Sequence, residues 1–429
     1  MDSRFLALTR VITLGPLFFD LLAIDRYVFR SGNPFLGFPR NLTELFAPPD
    51  RVFRLLQREG VIPASARCIS CEHCGGADTE PDKNVARIDI VYSTPGSQRE
   101  ELRVFVKLPS ARQYKLYFKA LLAAASTDNK EVAFHNVILP ELARQAGGRE
   151  KLGFAAPKNL FAAWSRPFER SILIQECVDM DRFHSRPDWM DADARMVERI
   201  LDSATDLHRR TWQLRGMPPK VLGKFLERSG VDWLDPGVQF YARRASSSFQ
   251  EIWKAIQKRT AREPVTISHG DCRMGNCLFS SDYSEVILTD WEVNSITFYL
   301  WDITYCMTVS FTPDDRRRHE EAFIRRYLDA LRENPQITDV PSFESAMELH
   351  RIGMLCIQIF SWLISRFGGV GQTQGNSDED MHSWKEKLDG AMADVLGDPV
   401  GLARALDVDV SLVQQFREDY YSGKILRAD

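Results

Sequence analysis

The chain has 429 residues, of which 44% are hydrophobic and 27% charged, and this ordinary globular usage argues against a disordered, collagen-like or coiled-coil protein. At roughly 150 residues per domain, about two or three domains are expected. The 55 Lys and Arg residues against 59 Asp and Glu residues give a formal charge of −4, so the whole chain has no positive field that would attract nucleic acid. Nucleic acid is therefore not expected as a partner.

The most apolar stretch near the N-terminus, Val11 to Ile24, is shorter than the roughly 18 residues of a membrane span and contains Pro16 and Asp20. It also lacks the small-residue cleavage site of a signal peptide. The eight cysteines are few for this length, and Cys306 and Cys356 lie in apolar runs, where free thiols behave as small hydrophobic side chains. We therefore expect no membrane association and a reducing, cytoplasmic location.

The pattern of residues 1–65 predicts a helical N-terminal extension, which a loop rich in Gly and Pro interrupts. Residues 66–178 then predict an antiparallel sheet, because their apolar residues change to a period of two, with one helix over Asp128–Leu142. The five predicted strands lie near Cys68 and over Val85–Tyr92, Leu102–Leu108, Leu160–Trp164 and Ser171–Val178. One helix and five strands predict a compact α+β lobe.

Residues 179–429 are predicted to be mostly helical. Between Val197 and Thr211, for example, apolar residues recur on one helix face. We expect a single group of short strands, formed by Val265–Ser268 and Cys277–Ser280, with Glu285–Thr289 completing a hairpin. The loops at the ends of these strands are unusually polar.

These polar loops contain the motif His269-Gly270-Asp271-x4-Asn276, followed by Asp290 at the end of the next strand. Phosphoryl transfer needs a carboxylate beside the acceptor hydroxyl and oxygen ligands for Mg²⁺ on the nucleotide phosphates. A single Asp or Asn in a loop is usually structural. This whole pattern, however, should arise by chance with a probability on the order of one in a hundred or less at average residue usage.

The motif resembles that of the aminoglycoside phosphotransferase and choline kinase superfamily, whose fold is similar to that of protein kinases. Lys107-Leu-Pro, the helix with Glu131-x-x-Phe and Ile-Leu-Pro, and Trp301-Asp302 look most similar to the ecdysteroid-kinase-like branch. The resemblance covers about residues 50–370. It implies an α+β, bilobal protein-kinase-like fold with a small antiparallel-sheet N-lobe, a larger helical C-lobe and the N-terminal helical extension.

The resemblance also implies a role for each motif residue. Asp271 would orient or deprotonate the acceptor hydroxyl, and Asn276 and Asp290 would bind Mg²⁺. Lys107 would pair with Glu131 and hold the α- and β-phosphates of ATP, since its side chain alternates away from the apolar face of its strand.

Further residues follow from the same resemblance. The backbone groups of Glu176 and Val178 would meet the adenine, and Gly75 and Gly76 would lie in the loop that covers the phosphates, although a full Gly-x-Gly-x-x-Gly is missing. Asp302 would buttress the catalytic loop. Its position at the start of an apolar helix is equally typical of an N-terminal cap.

Two other features need an interpretation. Cys68, Cys71 and Cys74 with His73 have the ligand types of a structural zinc site, but the run is continuous and no second ligand cluster follows it. We therefore expect free thiols. His208 lies beside the apolar stripe of its helix, and we expect a packing histidine and not a catalytic one.

The sequence thus favours an ATP- and Mg²⁺-dependent small-molecule kinase that phosphorylates a hydroxyl group. The aromatic segment Gly216–Glu263 predicts a cap over the acceptor and favours a partly apolar alcohol over a polycationic sugar. Two alternatives stay open: a kinase-like protein that binds a nucleotide or a partner without turnover, and a protein kinase, which the missing Ala-Pro-Glu segment after Asp290 disfavours. The acceptor, the choice between ATP and GTP and the oligomeric state are not predicted.

Overall fold

The computed structural model describes residues 42–74, 85–96, 99–108, 127–165, 170–187, 190–229, 245–368 and 378–425. These residues divide into two compact units. The first unit contains those within Met1–Leu139, Pro157–Asp179 and Lys224–Val231, and the second contains the remainder. The loop of the predicted N-terminal extension and the pair Gly75 and Gly76 lie outside the described residues.

A five-stranded antiparallel sheet forms the first unit, as the sequence predicted. Its strands are β1 (Arg67–Cys74), β2 (Val85–Ser93), β3 (Arg99–Lys107), β4 (Asn159–Ser165) and β5 (Arg170–Glu176). They are arranged in the order β1-β2-β3-β5-β4. On β3, Val104 and Val106 are fully buried and Lys107 belongs to the other face, because successive side chains of a strand point to opposite sides.

Helices pack against both faces of this sheet. Ile172 and Ile174 of β5 join a core with Val52 and Phe53 of the second of two helices, α1 (Leu42–Leu45) and α2 (Arg51–Arg58). The intervening Leu173 packs with Val132 and Ala162 on the opposite face, where α3 (Thr127–Ala133) lies. The alternation along β5 therefore determines which helix each face of the sheet meets.

The predicted helix over Asp128–Leu142 is interrupted. After α3 a π-helical turn covers Phe134–Ile138, and α4 (Leu139–Ala146) follows. The Leu139 N–H bonds to the Phe134 carbonyl, five residues back. Pro140 accounts for the irregularity, since it has no N–H to donate and its ring crowds the preceding turn.

Helices and short strands form the second unit. After α4 its helices are α5 (Ala194–Thr211), α6 (Pro219–Ser229, of which the first part belongs here), α7 (Ser247–Thr260), α8 (Trp301–Ser310), α9 (Pro313–Arg332), α10 (Phe343–Gly368), α11 (Asp378–Gly397), α12 (Pro399–Leu406) and α13 (Val410–Tyr421). The predicted α+β class, with a sheet-based unit and a mostly helical one, is confirmed. None of the helices among the described residues has the length and apolar character that a membrane span requires.

The prediction of a single strand group in this unit was wrong. Strand β7 (Val265–Ser268) pairs with β10 (Ser295–Phe298), whereas β8 (Cys277–Ser280) pairs with both β6 (Phe183–Ser185) and β9 (Val286–Leu288). The β8–β9 hairpin is as predicted. The other pairings were missed because β6 and β10 are only three and four residues long and lack a clear alternation of buried side chains.

Helix α8 is the centre of the second unit. All ten of its residues are buried, and it packs against α5, α9, α10 and α11. A helix that is surrounded in this way is a core helix and has no solvent-facing side. Its first turn contains Asp302, which is therefore held at a fixed place in the interior.

Candidate active site

In the first unit the structure brings Lys107 and Glu131 together. The Lys107 Nζ lies 2.9 Å from Glu131 Oε2, and the two side chains are 24% and 7% exposed. Lys107 ends β3 and Glu131 lies on α3, so a strand and a helix each supply one partner. An ammonium held by a mostly buried carboxylate stays at a fixed position, unlike a surface lysine. The phosphate-binding role of this pair remains a prediction.

The segment after β5 contains the two residues that the sequence assigned to the adenine. The Glu176 N–H donates to the Lys158 carbonyl over 2.9 Å, and the Glu176 carboxylate pairs with the Lys158 ammonium over 3.0 Å. The Cys177 N–H donates to the Arg103 carbonyl. The main-chain N–H of Val178 has no acceptor among the described residues. The backbone N–H groups of Glu176 and Cys177 are therefore used within the protein, whereas the Val178 N–H remains an available donor.

In the second unit a tight loop follows β7 at His269-Gly270-Asp271. Gly270 has a φ of +89°, and a Cβ added there would lie 2.3 Å from the Val293 carbonyl oxygen. Both the left-handed backbone and the close approach require glycine. This position therefore determines how Asp271 leaves the strand.

The Asp271 carboxylate is held by two residues that follow it in the same loop. The Asn276 Nδ2 donates to Asp271 Oδ2 over 2.7 Å and to the Asp271 carbonyl over 2.9 Å. The Arg273 Nε lies 3.1 Å from each carboxylate oxygen. The Asp271 side chain is 24% exposed, so the carboxylate is held in one orientation and is still accessible to solvent.

The pKa of Asp271 is raised to about 7, chiefly because burial disfavours the ionised carboxylate. Hydrogen bonds from Tyr305 and Asn276 oppose the rise, whereas the negative charges of Asp290 and Glu292 add to it. A carboxyl group with such a pKa has the proton affinity that a general base needs at neutral pH.

Asn276 and Asp290 meet the requirements of an Mg²⁺ site in the types of atoms that they offer. The Asn276 Nδ2 donates a hydrogen bond to Asp271. The other amide atom, Oδ1, is the one that can ligate a cation. The Thr289 N–H and hydroxyl donate to the Asn276 carbonyl over 2.9 and 3.0 Å, which ties the residue before Asp290 to Asn276. An amide oxygen and a carboxylate are the hard ligands that Mg²⁺ prefers.

The structure decides between the two roles, buttress or N-terminal cap, that the sequence left open for Asp302. Its Oδ1 accepts from the Ser268 hydroxyl over 2.6 Å and from the Gly270 N–H over 2.9 Å. Its Oδ2 accepts from the His269 N–H over 2.7 Å and from His208 Nε2 over 3.1 Å. The N-cap position of α8 is occupied by Leu300. Asp302 therefore buttresses the loop and does not cap its helix.

Two buried histidines complete this network. His208, as expected, is a packing residue: it is fully buried, with Nδ1 3.0 Å from the Tyr327 hydroxyl. His269 contacts the Thr289 carbonyl through Nε2 and the Asp271 N–H through Nδ1. One ring nitrogen therefore donates and the other accepts, so the ring is neutral, and burial lowers the pKa of His269 in agreement.

Sequence reasoning missed two residues near the motif, of which Arg273 contacts Asp271 and Trp384 contacts Arg273. Arg273 is a charged residue within the motif, and its position two residues after Asp271 was a usable signal. Trp384 on α11 lies under the Arg273 guanidinium, with 5.7 Å from Arg273 Cζ to the ring centre. Nothing in the local sequence around Trp384 indicates this contact.

The cysteine run lies on β1, the edge strand of the first sheet. No three ligand atoms of Cys68, Cys71, Cys74 and His73 lie within 4.8 Å of one another, although all four residues are described. Burial raises the pKa of Cys71 and of Cys74 to about 11. At neutral pH both are therefore protonated thiols, and a metal that bound them would have to displace both protons.

We predict that purified protein contains no stoichiometric zinc or iron bound to these cysteines. Elemental analysis of the parent and of a Cys71→Ser, Cys74→Ser double variant tests this. One equivalent of metal in the parent that disappears in the variant would show that the run is a metal site. The single variant Cys356→Ser serves as a control, because Cys356 is buried on α10, outside the run.

The sheet-based unit, the helical unit and the buttressed His-Gly-Asp loop define a protein with a kinase-like fold. Residues 235–339 match the family model of the ecdysteroid kinase-like family, which confirms the resemblance that the motif predicted. No curated protein sequence matches the chain.

Three similar solved structures illustrate how distant the relatives are. The choline kinase LicA from Streptococcus pneumoniae is 14% identical, with 80% of this chain and 99% of that chain covered and a TM-score of 0.42. A choline/ethanolamine kinase family protein from Mesorhizobium loti is 12% identical, with 85% and 99% covered and a TM-score of 0.43. A Plasmodium vivax ethanolamine kinase is 11% identical, with 86% and 94% covered and a TM-score of 0.45.

Proposed function

We propose that the protein is a small-molecule kinase that transfers the γ-phosphate of ATP to a hydroxyl group. The observation that carries this proposal is the contact between Asp271 and Asn276 in a loop that Asp302 holds from the core. It joins a carboxylate of raised pKa to an amide that offers its oxygen to a cation. Such a pair supplies the two functions that phosphoryl transfer asks of a protein, orientation of the acceptor and charge neutralisation.

Each of the other residues has a place in this proposal. Lys107, held by Glu131, binds the nucleotide phosphates, and the Val178 N–H bonds the adenine. Bound Mg²⁺ would neutralise charge on the phosphates, and Asn276 and Asp290 would hold it. Asp271 accepts the hydroxyl proton of the acceptor. We propose ATP as the nucleotide on the family resemblance, and we make no choice of acceptor beyond a hydroxylated small molecule.

The structure describes the predicted cap only in part. Residues 230–244, within the predicted cap of 216–263, lie outside the described residues. The preference for a partly apolar alcohol therefore stays a prediction, as does a cytoplasmic location.

The test is a coupled assay of ADP release with ATP and Mg²⁺ over a panel of hydroxylated small molecules and test proteins. We expect release with one or more small molecules and none with the proteins. ATP binding without any acceptor-dependent release would support the alternative of a kinase-like protein without turnover. Transfer to the test proteins alone would indicate a protein kinase.

Asp290→Ala should abolish the Mg²⁺ dependence of nucleotide binding, because it removes the only charged ligand proposed for the metal. Calorimetric titration of nucleotide with and without Mg²⁺ measures this. Asp282→Ala is a matched control, since Asp282 lies in the turn between β8 and β9 and bonds only nearby serines. If the Asp290 variant keeps the parent's metal dependence, the assignment of this ligand is wrong.

A further inference from the structure

Arg273 contacts two groups that belong to distant parts of the second unit. Its Nε lies 3.1 Å from both oxygens of Asp271, and its Cζ lies 5.7 Å from the centre of the Trp384 ring on α11. The Arg273 side chain is 23% exposed. The guanidinium therefore lies between the carboxylate assigned to the acceptor and an aromatic ring of a C-terminal helix.

Each contact depends on the other. An arginine has several rotatable bonds, and a partly exposed ion pair contributes little when the side chain is free to leave. A cation within about 6 Å of an indole face is attracted by the ring, and this attraction limits the rotamers of the arginine. Trp384 thereby restricts where the Arg273 Nε can be.

The orientation of the Asp271 carboxylate follows from its donors. Asn276 contacts Oδ2 from one side, and Arg273 spans both oxygens. Without Arg273 in place, the carboxylate keeps the hydrogen bonds of Asn276 and Tyr305 but loses the donor that reaches both of its oxygens, so its plane is less restricted. Reactions of oriented groups are sensitive to such displacements, since a shift of about 1 Å can cost a factor on the order of 10² in rate.

We propose that Trp384 is a positioning residue of this enzyme: it holds Arg273, and through Arg273 it sets the orientation of the Asp271 carboxylate. The inference rests on the proposed function, because it requires Asp271 to act on the acceptor hydroxyl. Helix α11 thus takes part in acceptor activation without touching the acceptor.

The expected kinetic effect is specific. Trp384→Leu should lower kcat for acceptor-dependent ADP release by about 10- to 100-fold and leave the Kd of ATP within about twofold, because the loss concerns the carboxylate and not the nucleotide. Trp384→Phe should recover most of the rate, since it keeps an aromatic face for the guanidinium.

Two further variants separate positioning from a general loosening of the helix. Leu388→Ala removes a buried side chain one turn further along α11. It should lower the melting temperature and retain kcat below that temperature. Arg273→Met alone, and combined with Trp384→Leu, forms a double-mutant cycle. If Trp384 acts through Arg273, the double variant has the kcat of Arg273→Met.

The outcomes distinguish this inference from the proposed function. A Trp384→Leu variant with the parent kcat, a Leu388→Ala variant that loses as much kcat, or effects that multiply in the double variant would each overturn the positioning role. The proposed function would stand in these cases if Asp271→Asn still loses most of its kcat. Absence of ADP release by the parent with every acceptor would overturn the proposed function, and this inference with it.

Discussion

Asp271→Asn is expected to lower kcat by about 10²- to 10⁴-fold while leaving ATP affinity nearly unchanged. The amide has the shape of the carboxylate but neither its charge nor its affinity for a proton, and both are used only when the acceptor hydroxyl reacts. The measurement combines steady-state ADP release with an identified acceptor and calorimetric titration of ATP.

Lys107→Ala provides the contrasting result. It removes the cation that Glu131 holds, so both ATP affinity and turnover should fall. The two variants together separate chemistry from nucleotide binding. An Asn variant that phosphorylates a confirmed acceptor at the parent rate would show that Asp271 is not the catalytic residue.

Asp302→Asn should lower the free energy of unfolding by about 3–5 kcal/mol, because the carboxylate is fully buried and the amide replaces one of its two accepting oxygens with an NH2 group that faces buried donors. The residues affected are His208 and the loop from Ser268 to Gly270. Urea unfolding followed by circular dichroism measures the loss. Asp314→Asn is the matched control, and at this exposed position the change should stay below about 1 kcal/mol.

The loss of free energy of unfolding caused by Asp302→Asn should depend on pH. Burial raises the pKa of Asp302, but the hydrogen bonds and electrostatic interactions of its neighbours, to which His208 contributes most, together outweigh burial, and the pKa is lowered. A lowered pKa in the folded state stabilises the protein above the pKa of the unfolded state, about 3.9, and this contribution disappears as the pH falls through the folded value. The difference between parent and variant should therefore shrink progressively as the pH falls from about 5 through the folded value. A difference that grows on acidification would contradict this charge state.

The sequence predicted those parts of the protein that depend on short-range patterns. A period of two predicted the strands of the first unit, since alternate residues of β2, β3 and β5 are buried in the core that the sheet forms with α2. The motif from His269 to Asn276 predicted the loop because its spacing brings Asp271 and Asn276 into contact within one turn. The interruption of the helix at Phe134–Ile138 could also have been predicted from Pro140, but it was not.

Other features depend on contacts between distant parts of the chain. Trp384 meets Arg273 only because α11 packs beside the core helix α8. Strands β6 and β10 are so short that their pairing partners, and not their own residues, determine their conformation. The choice between a cap and a buttress for Asp302 likewise required the positions of Ser268 and His269, which no local pattern contains.

Helix α8 both fills the middle of the second unit and presents Asp302 to the loop. Inactive clones from random mutagenesis should therefore fall into two groups when they are heated. Lesions within α8 should give heat-labile protein, because the same change opens the interior. Lesions at Asp271 should give protein as heat-resistant as the parent, so a simple thermal challenge sorts the defects by location before any sequencing.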